Sequence, residues 1–107
     1  MKDKKHYILK SLPTRPTFPQ DMTAEEREIM QQHITYWEDK AEKGIAIVFG
    51  PVFDPKGGYG LGVIEVDEEE QVHALIKDDP AVKAGLQKPE FYLMGAVLPK
   101  WWHRIEK

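Results

Sequence analysis

The sequence contains no cysteine. This absence excludes disulfide bonds, zinc sites with thiolate ligands and a cysteine nucleophile, and it fits a reducing compartment. A long apolar run is also missing. No stretch reaches the roughly 18 residues that a membrane-spanning helix needs, and no signal-peptide core follows the first lysines. We therefore expect a cytoplasmic protein without a membrane partner.

A basic excess is absent as well. The chain of 107 residues has 15 lysines and arginines against 18 aspartates and glutamates, a net charge of −3. General nucleic-acid binders carry the opposite balance, so we expect no nucleic-acid partner. The length predicts a single domain, residues 1–107, that buries one modest core.

Patterns for metals and cofactors are equally sparse. The four histidines (6, 33, 73 and 103) show neither an i,i+4 pair nor an H-E-x-x-H spacing, so we predict no metal site. The glycines of "DPKGGYGLG" (54–62) precede a strand, whereas a dinucleotide fingerprint leads into a helix. We expect no cofactor. The only serine, Ser11, is a weak candidate for a nucleophile because it lies in or near a strand.

The chain does contain an ordered series of strand and helix patterns. Thr23 with Glu26 forms a capping-box pattern, and Gly44 ends that helix. Asp67 is the predicted cap of a second helix, which ends at Asp79-Pro80 because the residue before proline is disfavoured in a helix. The predicted strands are 6–12, 45–49, 61–66 and 89–99, the helices are 24–43 and 68–78, and 13–22 is a proline-rich connection.

This order, βαββαβ, predicts an α+β, ferredoxin-like fold: an antiparallel four-stranded sheet with two helices on one face. The runs "IAIVF" (45–49) and "FYLMGAVL" (91–98) are apolar on both faces. Two helices cover only one face of the sheet, so the other face needs a cover. We predict a homodimer whose sheets pack face to face. The alternative is that the tail "WWHRIEK" (101–107) folds back over the open face.

One histidine stands on the apolar side of the first helix. His33 falls within the arc that includes Met30 and Trp37. A lone histidine there is most often a hydrogen-bonded core residue, whereas a functional one needs a carboxylate partner. Asp79 is the predicted partner, and Asp78 is the alternative. Asp79 is also predicted to cap a short helix that starts at Pro80, and one carboxylate can serve both roles because it has two oxygens.

Other side chains are candidates for a binding site. Arg15 lies between two prolines and could hold an anionic group, since arginine suits planar carboxylates; the alternative is an exposed loop arginine. Aromatic residues could form the walls of a pocket for an aromatic or lactone-like ligand. They are Tyr36, Trp37, Phe49 and Phe53, with an ordinary core role as the alternative for Trp37 and Phe49.

Three motifs in order resemble the YciI-like (YCII-related) domain family: "HITYW" (33–37), "GIAIVFGPVFDPKGGYG" (44–60) and "DDPAVKAGL" (78–86). The resemblance implies a dimeric α+β barrel of ferredoxin-like subunits. It also implies an enzymatic His–Asp pair, which falls on His33 and Asp79, with Gly50 and Pro51 as a turn beside the substrate. Relatives of this barrel include muconolactone isomerases and small monooxygenases, and one YciI-like enzyme is a dehydrochlorinase in aromatic breakdown.

Two departures from the family pattern bear on the ligand. Ala81 stands where the family usually has an aromatic residue after Asp-Pro, and the segment 13–22 is longer than in the shortest members. The resulting hypothesis is a cofactor-free isomerase- or lyase-like enzyme, in which Asp79 orients His33 to move a proton on a small metabolite. The alternative is a non-catalytic dimeric module for small-molecule binding or protein interaction, in which the same pair only ties two helices together.

Overall fold

The computed structural model of the chain describes residues 4–18 and 20–97. The predicted element order is confirmed, and the short helix predicted to start at Pro80 is present, with four residues. The elements are β1 (Lys5–Pro13), α1 (Ala24–Glu42), β2 (Ala46–Val52), β3 (Tyr59–Val66), α2 (Glu69–Asp78), α3 (Pro80–Lys83) and β4 (Gln87–Met94).

The four strands form one antiparallel sheet in the order β2-β3-β1-β4. This is the predicted ferredoxin-like topology. Alternate residues of β1 and β3 face the helices and are buried, as expected for a sheet covered on one side. The main core joins these strand residues to both long helices; its buried members are Tyr7, Leu9, Trp37, Ala46, Ile64, Val66, Val72 and Leu75.

The ends of α1 follow the predicted capping chemistry. The backbone N–H of Glu26 donates to Thr23 Oγ1 at 3.1 Å, and the Thr23 N–H donates to Glu26 Oε1 at 3.0 Å. Gly44 follows the helix with a φ of 78°, a left-handed conformation that glycine adopts without a steric penalty. These two signals fix the register of the helix that carries His33.

The start of α2 corrects the sequence prediction by one residue. Glu68, not Asp67, is the N-cap. The side chain of Gln71 reaches back to accept from the N–H groups of Asp67 and Glu68, at 2.7 and 2.9 Å. The Asp67 carboxylate instead pairs with Lys4 at 3.0 Å. Gln71 therefore sets the helix start, because a capping box needs its Gln or Glu three residues after the cap.

Two strand boundaries also differ from prediction. β2 continues to Val52, so Gly50 and Pro51 lie inside this edge strand and not in a turn; the loop comprises residues 53–58. A bulge between Ala46 and Val48 interrupts the start of β2. β4 ends at Met94 and not at 99, while the tail 100–107 lies outside the described residues. Pro89 lies within β4, the other edge strand.

The face of the sheet opposite the helices exposes apolar side chains. Val48, Tyr92 and Met94 lie on it and are 60, 56 and 40% exposed. His6 also lies on this face and is buried, although it follows the lysines at the start of the chain. Its position follows from β1, which begins at Lys5 and turns every second residue to this side. None of the helices in the described ranges is long and apolar enough to cross a membrane.

Candidate functional site

The predicted contact between His33 and Asp79 is present. Nδ1 of His33 lies 2.7 Å from Oδ1 and 2.9 Å from Oδ2 of Asp79. Both residues are buried, with exposed fractions of 4% and 2%. A carboxylate can only accept hydrogen bonds, so Nδ1 carries the proton in this contact. None of the described residues forms a hydrogen bond with Nε2, which is therefore the ring nitrogen left for chemistry.

The position of Asp79 follows from the proline after it. Pro80 disfavours a helical conformation for Asp79, which adopts an extended one with φ −66° and ψ 124°. The chain leaves α2 there, and the carboxylate turns back toward α1. Asp79 also caps α3, because its Oδ1 accepts from the Ala81 N–H at 2.9 Å. The two roles predicted for Asp79, cap and histidine partner, coexist in one side chain.

A third donor completes the environment of this carboxylate. The indole Nε1 of Trp37 donates to Asp79 Oδ2 at 2.8 Å. The sequence predicts Trp37 only as a pocket wall or a core residue, so this donor role is a finding of the structure. The signal that was missed is the spacing: Trp37 follows His33 by four residues, so both project from the same side of α1. Three N–H donors therefore hold one buried carboxylate in place.

Phe49 brings an aromatic ring against the pair. Its centroid lies 5.4 Å from the His33 ring, and it stacks on Trp37 at 5.4 Å with an interplanar angle of 18°. Gly62 is the residue paired with Phe49 on β3. A Cβ at Gly62 would come within 3.4 Å of the Phe49 ring, so the glycine allows the ring to lie close to the sheet.

Two hollows flank this cluster. A hollow of about 290 Å³ lies between α1 and β2; Trp37 and Phe49 line it, together with Ile34, Ile47 and Val48. A second, of about 230 Å³, lies between α1 and α2 beside Tyr36, Lys40 and Asp78. His33 is not in the lining of either hollow. The Phe49 ring contacts the imidazole and also lines the first hollow.

Tyr36 belongs to the second hollow and not to the first. Its hydroxyl donates to the Leu75 carbonyl at 2.7 Å, which ties α1 to α2. Burial, and then the nearby carboxylates of Asp78 and Asp79, raise the pKa of Tyr36 to about 12. Asp78, the alternative partner for His33, is exposed at this second hollow, and its carboxylate is not the one bonded to the imidazole.

Arg15 is engaged by carboxylates of its own chain. It donates to both oxygens of Glu26, at 2.8 and 2.9 Å, and to Asp21 at 2.9 Å. These bonds hold the pKa of Glu26 down to about 2 and raise the pKa of Arg15. The guanidinium also lies 5.0 Å from the ring of Phe18. A ligand carboxylate at Arg15 would have to compete with Glu26 and Asp21.

The structure contains a second histidine–carboxylate pair, which was not predicted from the sequence. His6 Nε2 lies 2.9 Å from Glu65 Oε2. The two side chains lie on the face of the sheet away from the helices and are only 8% and 9% exposed. The two residues are direct cross-strand partners in the β1–β3 register. Only this register could have revealed the pair, because 59 positions separate the residues in sequence. Within the described ranges, no three histidine or acidic side chains gather in a way that could hold a metal ion.

Comparison with known proteins gives a family and a fold. The sequence model of the YCII-related domain matches residues 11–90. No curated protein matches the chain. Among solved structures, the dehydrochlorinase TftG of Burkholderia phenoliruptrix, solved with 2,5-dihydroxybenzoquinone, superposes with a TM-score of 0.60 at 23% identity, covering 88% of this chain and 96% of TftG.

Two further structures share the fold. The uncharacterized protein TM1266 of Thermotoga maritima has a TM-score of 0.56 at 10% identity, covering 87% of this chain and 100% of TM1266. An antibiotic biosynthesis monooxygenase has a TM-score of 0.52 at 11% identity, covering 88% of this chain and 99% of the monooxygenase. Identities this low establish the shared fold and nothing finer.

Proposed function

The chain belongs to the YCII-related domain family, and from this premise we propose that it is a cofactor-free acid–base enzyme acting on a small molecule. The observation that carries the proposal is the bond of the His33 Nδ1–H to both oxygens of Asp79, at 2.7 and 2.9 Å. A carboxylate on one ring nitrogen fixes the tautomer and leaves the other nitrogen free to accept a proton.

The proposed step is a proton transfer beside a carbonyl group. Nε2 of His33 takes a proton from a substrate carbon, and the electron pair of that C–H bond forms a new double bond. In an elimination a halide then leaves from the neighbouring carbon, so that HX is lost overall; in an isomerisation Nε2 returns the proton to another carbon. Asp79 stabilises the imidazolium that His33 forms when it takes the proton. The N–H groups of Trp37 and Ala81 hold the Asp79 carboxylate in place.

The substrate would lie in the hollow between α1 and β2. Trp37 and Phe49 offer apolar walls there, and a rotation of Phe49 would connect the hollow to the His33 ring. Gly50 and Pro51 follow Phe49 in β2 and would border the same space. Tyr36 would act from the α2 side, by holding the two helices together. Arg15 would recruit a substrate carboxylate only by exchanging it for Glu26.

A direct test uses 5-chloro-2-hydroxyhydroquinone, the compound in the name of TftG, as a trial substrate. Chloride release and quinone absorbance would be followed for the wild type and for His33→Asn. We expect the variant to be ~10²–10⁴-fold slower, the usual contribution of a positioned acid or base. His73→Asn is the matched control, because His73 is exposed on α2 and pairs only loosely with Glu69, at 3.6 Å.

Equal rates for the wild type and His33→Asn, including no turnover by either, would contradict the proposal. They would favour the second candidate, a non-catalytic binding or interaction module in which the pair joins α1 to the α2–α3 turn. The burial of His33, which is only 4% exposed, supports this second candidate. In that case His33→Asn should lower the urea midpoint and leave every rate unchanged.

We further propose that a second copy of the chain covers the open face of the sheet. Val48, Tyr92 and Met94 place exposed apolar side chains on this face, and surfaces of this kind in small proteins usually mark an interface. Light scattering should give the mass of two chains, and Tyr92→Lys should shift it to one. A wild-type mass of one chain at micromolar concentration would contradict this arrangement.

A further inference from the structure

Gln87, the first residue of β4, has a polar side-chain atom that the contacts of the described fold do not account for. Within the described part of the chain, its Oε1 is a buried side-chain oxygen without a hydrogen-bond partner. A buried acceptor that gives up water and gains no donor destabilises the native state. Such an atom therefore calls for a physical explanation, and a ligand that donates to it is one.

The register explains why no neighbour satisfies this oxygen. The cross-strand partner of Gln87 is Pro13, which has no N–H group. The next residue of β4 on the same side is Pro89, which has none either. The nearby Thr14 hydroxyl donates to the Leu86 carbonyl at 3.4 Å. Among the nearest neighbours of Gln87 in the sheet, the two prolines therefore have no N–H group to donate, and the Thr14 hydroxyl is already engaged.

Ser11 adds a second polar group at the same place. It pairs with Pro89, so Gln87 is its diagonal neighbour across the two strands, at roughly 7 Å between Cβ atoms. Ser11 is 8% exposed, and none of the described residues forms a hydrogen bond with its hydroxyl. Gly60 pairs with Ser11 on the other side, and its missing side chain leaves that flank of the serine open.

Both residues point to the helix side of the sheet. Tyr7 and Phe91 point to this side and contact each other there, and alternation places Ser11 and Gln87 with them. α3, whose N-cap is Asp79, packs against both α1 and β4. The two groups therefore lie on the same side of the sheet as the His33–Asp79 pair, near β4 and away from Phe49 on β2.

We propose that Gln87 and Ser11 form a subsite that binds the hydroxyl group of a small, otherwise apolar molecule. The hydroxyl donates to Gln87 Oε1 and accepts from the Ser11 hydroxyl, so each group gains the partner that it lacks. The apolar body of the molecule packs against Pro13, Pro89 and the buried side chain of Leu86. This subsite goes beyond the proposed reaction and does not depend on it.

The first test measures the stability of Gln87→Met, which keeps the length of the side chain and removes the amide. We expect the melting temperature to rise by about 4 °C, because the variant loses a buried, unpaired acceptor. Gln32→Met is the matched control: Gln32 is exposed on α1, and its replacement should change the melting temperature by less than about 2 °C.

The second test measures binding with two probes that differ by one donor, phenol and anisole, by NMR titration of the wild-type chain. We expect phenol to bind at least tenfold more tightly than anisole and to shift the side-chain amide signal of Gln87. Gln87→Met should abolish this preference, Ser11→Ala should reduce it, and Gln32→Met should retain it.

Either of two results overturns the proposal. A lower melting temperature for Gln87→Met than for the wild type would show that the amide stabilises the fold. Equal affinities for phenol and anisole, or no binding of either, would show that the oxygen selects no hydroxyl. The proposed reaction is tested separately: a preference for phenol that persists in His33→Asn supports this subsite whether or not that variant affects turnover.

Discussion

In the described part of the chain, two histidine–carboxylate pairs with little solvent exposure lie on opposite sides of one sheet and are held in different ways. His6 and Glu65 are cross-strand neighbours, so the strand register brings them opposite each other. His33 and Asp79 come from a helix and from a turn between helices, and three separate N–H groups hold the carboxylate. The first pair follows from pairing geometry, whereas the second is built from several elements at once.

This difference shows how strongly the surroundings of each pair fix the geometry of that pair. The His6 ring can exchange its tautomer to suit a changed partner at position 65. The donors around Asp79 include the Trp37 indole and the Ala81 backbone, and neither can become an acceptor. Preorganisation of this kind is what acid–base catalysis requires, and it distinguishes the His33 pair as the candidate site.

The largest effect should come from matched amide substitutions of the two acids. Asp79→Asn replaces an acceptor oxygen by an NH₂ group that faces N–H donors, and each buried hydrogen-bonding group left unpaired costs about 1–3 kcal/mol. Glu65→Gln should cost less, because the amide keeps an oxygen that can accept a hydrogen bond from the His6 ring, which can exchange its tautomer. Urea unfolding of both variants gives the two free energies.

Similar losses in the two variants would contradict the comparison. They would mean that Glu65 organises its surroundings as strongly as Asp79 does. The double variant Asp79→Asn/Glu65→Gln tests whether the two sites are independent. Sites with no shared partner should give additive losses in the free energy of unfolding.

A smaller effect is expected at Tyr36, which joins the same two helices as the His33–Asp79 pair. Tyr36→Phe removes the bond to the Leu75 carbonyl and should cost about 1 kcal/mol at neutral pH. The fold raises the pKa of Tyr36 from 10.0 to about 12. The stabilisation that the protonated Tyr36 hydroxyl contributes is therefore present below pH 10 and is lost as the pH rises toward 12.

Urea midpoints between pH 8 and pH 11.5 provide the measurement. The alkaline decline in stability should be weaker in Tyr36→Phe than in the wild type. Tyr59→Phe, at a partly exposed position on β3, is the control and should retain the wild-type decline. An unchanged decline in Tyr36→Phe would show that helix pairing at this point does not depend on the buried hydroxyl.

The sequence predicted those features that depend on local chemistry. Thr23 with Glu26, Gly44 and the Asp79-Pro80 step each fix a helix end through neighbouring residues, and all three are confirmed. The contact of His33 with Asp79 could be expected as well, because the topology places the end of α2 beside α1. The predicted cap at Asp67 is wrong: Glu68 is the N-cap, and Gln71 Oε1 accepts from the N–H groups of both Asp67 and Glu68.

The remaining features depend on register and on competition between partners. The pairing of His6 with Glu65 and the unpaired oxygen of Gln87 follow from which residues stand opposite each other, which no single segment encodes. The engagement of Arg15 by Glu26 is a choice among several carboxylates that depends on the path of the proline-rich segment. The Trp37 indole was within reach of prediction, since its spacing from His33 is visible in the sequence.

Both outer strands of the sheet contain a proline, Pro51 in β2 and Pro89 in β4, and β2 also has a bulge near its start. A proline cannot donate to an incoming strand, and a bulge bends the strand away from one. Neither border of the sheet therefore offers a template on which further chains could line up into a growing fibre. An apolar edge strand such as "AIVF" (46–49) would otherwise promote aggregation by strand addition. The protein can have this strand at the border of the sheet because the hydrogen-bond ladder of the sheet ends there.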